Sequence, residues 1–174
     1  MLGFSESLGI VNTPARVIAK EPGSFFSGLT INRGQTSGVR RDMPVVANQN
    51  GVTGLVGRIT EVGLATSVVM PVFDARSYVA ARMDRSRHEG LVRGLGAANA
   101  VLRMDYVSES ARPQIAAGDL VITSGMRSIY PEGIQIGSVE AIRGEAYETS
   151  LRIDVVPAVD LSQLEYVFVL EVSE

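Results

Sequence analysis

The chain has 174 residues and a formal net charge of −3, with 45% hydrophobic but only 6% aromatic side chains, and a length that holds one large domain or two small ones and buries about 70% of its unfolded surface. It has no cysteine, which excludes disulfides and thiolate chemistry, and a single lysine with an acidic balance argues against a nucleic-acid surface. No apolar run approaches the roughly 18 residues a membrane-crossing helix needs, whereas Val- and Ile-rich runs with 18 glycines are the composition of short strands and tight turns.

In chain order, the window from Ser7 to Asn12 reads as the frayed end of a helix or linker, so residues 1–13 are set apart. Strands are then predicted over Ala15 to Lys20, Phe25 to Asn32 and Pro44 to Asn48, each bounded by Gly or Pro. Six more follow: Gly54 to Val62, Ser67 to Phe73, Tyr78 to Met83, Gly90 to Leu95, Ala100 to Val107 and Asp119 to Thr123. The last three are Ile134 to Ile142, Ser150 to Val156 and Tyr166 to Val172. Their regular spacing is that of barrels or sandwiches. Leu151, Ile153 and Val155 alternate with Arg152 and Asp154, and Leu102, Met104 and Tyr106 with Arg103 and Asp105, so one face of each strand packs and the other is wet. Tyr166 to Leu170 is apolar on both faces, which suits a strand covered on two sides.

One phrase occurs twice. Met43-Pro44-Val45-Val46 leads to Val56-Gly57-Arg58-Ile59, and Asp119-Leu120-Val121-Ile122 leads to Ile136-Gly137-Ser138-Val139. Internal similarity at this distance suggests two related β units.

Catalytic chemistry is scarce. The only histidine, His88, lies in a charged run between two strands, where a general base would lack a fixed tautomer. Ser124-Gly125 lacks the flanking pattern of a nucleophile turn, and Gly90 to Gly96 lacks a phosphate loop's Gly-Lys ending. No carboxylate cluster has metal-ligand spacing, and no cofactor is expected. Charge is uneven: five arginines between Arg76 and Arg93 face Asp84 and Glu89, whereas nine acidic residues from Glu132 to Glu174 face Arg143 and Arg152.

A resemblance accounts for this pattern. Leu29-Thr30-Ile31-Asn32-Arg33-Gly34, Met43-Pro44-Val45-Val46 and Gly54 to Ile59 resemble the rod shape-determining protein family MreC. Gly118 to Gly125, Pro131 to Gly137, Pro157 to Leu161 and Tyr166 to Leu170 continue the resemblance in order. It implies an all-β, non-enzymatic scaffold of the bacterial elongation machinery on the periplasmic side of the inner membrane, with an anchor and most of a coiled coil lying outside this chain. It also implies a homodimer or filament, and partnership with penicillin-binding protein 2 and MreD. A two-barrel hydrolase resting on His88 and a cell-wall ligand module resting on scattered tyrosines are the competing classes.

Two six-stranded β-barrels are expected, one inserted in the other. The first takes residues 14–50 and 126–174, the second residues 51–125; a consecutive arrangement cut near residue 95 is the alternative. Large apolar groups in turns mark Phe25, Phe26, Ile129 and Tyr130 as partner contacts. Arg82, Arg85 and Arg87 are matched with Glu145 and Glu148 as the charges that meet between subunits.

Overall fold

The computed structural model describes residues 11–20, 28–97, 101–126, 129–145 and 147–172. Twelve strands lie among them: β1 (Val11–Lys20), β2 (Leu29–Ile31), β3 (Pro44–Gln49), β4 (Val52–Val62), β5 (Ser67–Pro71), β6 (Tyr78–Met83), β7 (Glu89–Arg93), β8 (Leu102–Ser108), β9 (Leu120–Thr123), β10 (Gln135–Arg143), β11 (Ser150–Pro157) and β12 (Tyr166–Glu171). All twelve expected strands are present. The first begins at Val11, four residues earlier than expected, because Pro14 sits opposite Phe168 in the β1–β12 ladder without ending it.

The strands close two rings. In the first, β3 pairs with β4, β4 with β5, β5 with β2, β2 with β1, β1 with β12, and β12 with β3. The second joins β9, β10, β11, β8, β7 and β6 in the same way and returns to β9. A single parallel bridge, Gln135 opposite Gly54, ties β10 to β4 across the two. Closure leaves neither sheet with a long unpaired edge.

One barrel is thus inserted in the other, with a different division from the one expected. Five strands precede the inserted barrel and one follows it, so β4 and β5 belong to the first ring, and β10 and β11 to the inserted one. The reason is local. Asn50 and Gly51 both have positive φ, 54° and 83°, and form a two-residue turn that keeps β3 and β4 paired. A boundary at residue 50 would cut that hairpin.

The repeated phrase occupies equivalent places in the two rings. Val45 pairs with Gly57 and Gly57 with Pro71; Val121 pairs with Gly137 and Gly137 with Pro157. The same register shifts follow on both sides, at Ile59/Glu61 on β4 and Val139/Ala141 on β10. After the paired prolines come Val72-Phe73-Asp74 and Ala158-Val159-Asp160. The amide of Val72 donates to Val56 O at 2.8 Å and that of Ala158 to Ile136 O at 2.9 Å.

β1 to β6 and β7 to β12 therefore form two consecutive six-stranded repeats, each giving its last strand to the other's barrel. β6 follows β5 but pairs with β7 and β9, whereas β12 follows β11 but pairs with β1 and β3.

The interiors are aliphatic. Ile31, Val45, Leu55, Ile59 and Val69 fill the first barrel and Met83, Leu102, Met104, Leu151 and Ile153 the second. All belong to one continuous buried cluster. Two expected faces differ. Tyr106 is 75% exposed, because it has φ 67° at a register shift between β8 and β11 and hands its inward place to Val107. Tyr166 is also exposed, so β12 is covered on both sides only towards Leu170.

A Cβ at Gly57 would overlap the carbonyl oxygen of Met70, and one at Gly137 that of Val156. The crossing backbones leave no room for a side chain. Gly57→Ala and Gly137→Ala are each expected to cost about 2 kcal/mol or more, measured by denaturant unfolding. A loss below about 0.5 kcal/mol, the level of an ordinary surface change, would show that the crossing relaxes.

Candidate partner-binding surface

The two repeats differ most where β3 meets β4 and β9 meets β10. The first junction is the Asn50-Gly51 turn; the second is the segment 124–134. Thr123, fully buried, fastens both ends of that segment. Its amide donates to Ile134 O at 2.8 Å, its hydroxyl donates to Pro131 O at 2.6 Å, and the same hydroxyl oxygen accepts from the Ile134 amide at 2.9 Å. The Ser124 amide donates to Ala80 O at 3.0 Å, and Arg82 Nη2 donates to Ser124 O at 3.2 Å.

From this base the loop reaches across to the first barrel. Tyr130 is 3% exposed. Burial pushes its phenol up to about 12, while Arg58 and Asp42 of the first barrel pull in opposite directions as lesser causes. Those two side chains form an ion pair of 2.7 Å. Tyr130 was expected to be a partner contact, yet it packs inside the molecule between the barrels.

Its neighbours stay outside. Met126 is 59% exposed and Ile129 38%. With Ser124, Tyr130, Glu132 and Val172 they line an open groove of about 350 Å³. A larger groove of about 470 Å³ runs along β1 and β12, lined by Arg16, Ile18, Lys20 and Tyr166. Phe25 and Phe26 lie outside the described residues.

The arginines expected to meet a second subunit find acids within the chain. Arg82 pairs with Glu132, and Arg87 reaches the same carboxylate at 3.4 Å and Asp84 at 3.9 Å. Arg85 binds Asp119 at 2.7 Å and donates to Gln114 O at 2.8 Å. Hydrogen bonds from Arg85 and from the Ala116 amide hold the Asp119 carboxyl below the ordinary carboxylate range. Glu145 and Glu148 sit in the β10–β11 hairpin, where Glu148 accepts from the Glu145 amide at 3.3 Å and pairs with Arg152 at 3.7 Å. Solvent screens such exposed pairs, and each contributes little by itself.

His88 Nε2 lies 2.8 Å from Gln114 Oε1, and Ser124 Oγ accepts from the Met126 amide at 3.3 Å. Neither is shown with the partner that hydrolysis needs. Among the described residues no group of three or more His, Asp or Glu side chains is placed to hold a metal. Nor is any helix among them long and apolar enough to cross a membrane.

The family model described as rod shape-determining protein MreC, barrel core, matches residues 17–171. The chain belongs to the MreC family. A cell shape-determining protein MreC of Bacillus subtilis is 33% identical over 163 residues, which is 90% of this chain and 55% of that protein. The chain spans about half the length of the curated relatives it matches.

Solved structures share the fold. MreC from Pseudomonas aeruginosa superposes with a TM-score of 0.83 at 23% identity, covering 91% of this chain and 98% of that one. A major periplasmic domain from the cell shape-determining filament MreC gives 0.79 at 21%, covering 94% and 97%. The complex between penicillin-binding protein 2 and MreC from Helicobacter pylori gives 0.66 at 15%, covering 94% and 99%.

The buried Tyr130 sets a pH dependence. The fold favours the neutral phenol, so this contribution is intact below pH 10.0 and is lost as the pH rises towards about 12. Phenolate titration of Tyr130→Phe is expected to lack a step centred near 12, and the variant's alkaline loss of stability should be smaller by on the order of 2 kcal/mol. Loss of a step near 10.0 instead would place Tyr130 in water.

Proposed function

We propose that this chain is the barrel core of a non-enzymatic scaffold that acts outside the cytoplasm in bacterial cell elongation. It self-associates, and it binds a transpeptidase of the penicillin-binding protein 2 type at the groove of loop 124–134. By preferring the active conformation of that partner, the scaffold shifts its population without doing chemistry itself.

One observation carries the choice of surface. Loop 124–134 is the part of the second repeat with no counterpart in the first, and it holds Met126 and Ile129 out of the core while Thr123 and Tyr130 fix it from beneath. Apolar side chains held in place beforehand lose little conformational entropy on docking, and the ends of this segment are fastened through Thr123. Family membership, the complex of a Helicobacter pylori relative with penicillin-binding protein 2, and the periplasmic description of another relative support the partner and the compartment.

The test is binding of the whole chain to the periplasmic part of penicillin-binding protein 2. Met126→Ser with Ile129→Ser is expected to weaken it tenfold or more, about 1.4 kcal/mol, with an unchanged melting temperature. Unaltered affinity would move the docking site elsewhere, the larger β1–β12 groove being the first alternative.

A further inference from the structure

The inference concerns how copies of this chain join, and it rests on the self-associating part of the proposed function. The first barrel is unfinished without β12. The strands β1 to β5 form an open sheet whose two edges, on β1 and on β3, meet only through that strand. Val167, Val169 and Leu170 of β12 are at most 2% exposed, so an empty slot would uncover aliphatic core along with two rows of backbone groups.

The strand that fills the slot comes from the far side of the molecule. It arrives through residues 158–165, after six strands that build the other barrel. The equivalent strand of the first repeat, β6, fills the other barrel's slot through residues 72–77. The five remaining strands of each repeat are already completed by the last strand of the other.

The contacts β12 makes in the slot are the same whichever copy supplies it. Exchange of an identical element costs only the freedom of the second molecule and the change in the connector. Eight residues, 158–165, can reach roughly 26 Å when drawn out, at the cost of unseating the buried Val159, Leu161 and Leu164 and the Asp160 turn; among the described residues a single parallel bridge, Gln135 to Gly54, pairs a strand of one ring with a strand of the other. We propose that the chain associates with second copies of itself by strand exchange, β12 of one copy closing the β1–β5 barrel of another. Reciprocal exchange closes a dimer, and sequential exchange runs on without limit.

The absence of cysteine from the chain makes the test direct. Arg16 lies opposite Tyr166, and Val11 opposite Glu171, in the β1–β12 ladder, and all four are exposed. Arg16→Cys chains and Tyr166→Cys chains are mixed, unfolded, refolded together at high concentration and oxidised. The Val11→Cys and Glu171→Cys chains form a second pair. The two pairs lie five positions apart along the ladder, so one of them is of the closer, non-hydrogen-bonded kind. The doubly substituted chains, refolded dilute, check that the variants fold and that the bond forms within a chain. Leu120→Cys, exposed on β9 of the other barrel, mixed with Tyr166→Cys, controls for chance contact.

Mixed disulfide dimers as the main product of the ladder pairs, several-fold above the control, are the expected result. Light scattering that shows mass rising with concentration, while the ladder pairs link no better than the control, would overturn strand exchange and leave self-association by another surface. A chain that stays monomeric throughout, with bonds only inside doubly substituted molecules, would remove self-association as well.

Discussion

Everything in this molecule depends on two strands crossing over. β6 leaves the first repeat to close the second barrel, and β12 returns to close the first. Because each crossing begins at a proline opposite a glycine, Pro71 with Gly57 and Pro157 with Gly137, the backbones approach until no side chain fits between them. The Asp74 and Asp160 that follow anchor the turns: Asp74 accepts from the Arg76 amide at 2.7 Å and Asp160 from the Ser162 amide at 3.0 Å. Local turn chemistry thus fixes a long-range exchange, and the exchange merges two small cores into one buried cluster.

Against this shared frame, the differences between the repeats become meaningful. Both repeats keep the same strand pairings, and they differ most at one junction. The two-residue turn at Asn50-Gly51 is the economical form of the junction, and segment 124–134 the extended one. The extended form does two things at once: it plants Tyr130 against the first barrel and leaves Met126 and Ile129 in water.

Strand identity was legible because period-two alternation and Gly or Pro punctuation are local signals. Ring membership was not, since β6 and β12 both fit either barrel by pattern and only tertiary pairing selects one. Asn50-Gly51 carries the deciding local signal: it holds β3 to β4, so a boundary at residue 50 would split a hairpin. Tyr130 looks like a surface anchor because it lies in a loop, and its burial depends on the other barrel, whose Asp42 and Arg58 lie far from it in sequence. The charge asymmetry was real, but Glu132 and Asp119 come close to the arginines only after β9 folds beside β6. Met126 and Tyr106 show the converse, apolar side chains that one bulge or one long loop turns out to solvent.

The double crossing also has a mechanical meaning. Two covalent connectors run between the barrels in opposite senses, each ending in a strand held along both edges by its host. A force pulling the barrels apart loads β6 and β12 together, and freeing either means breaking its ladders on both sides. This wiring makes the pair of barrels a single link under load.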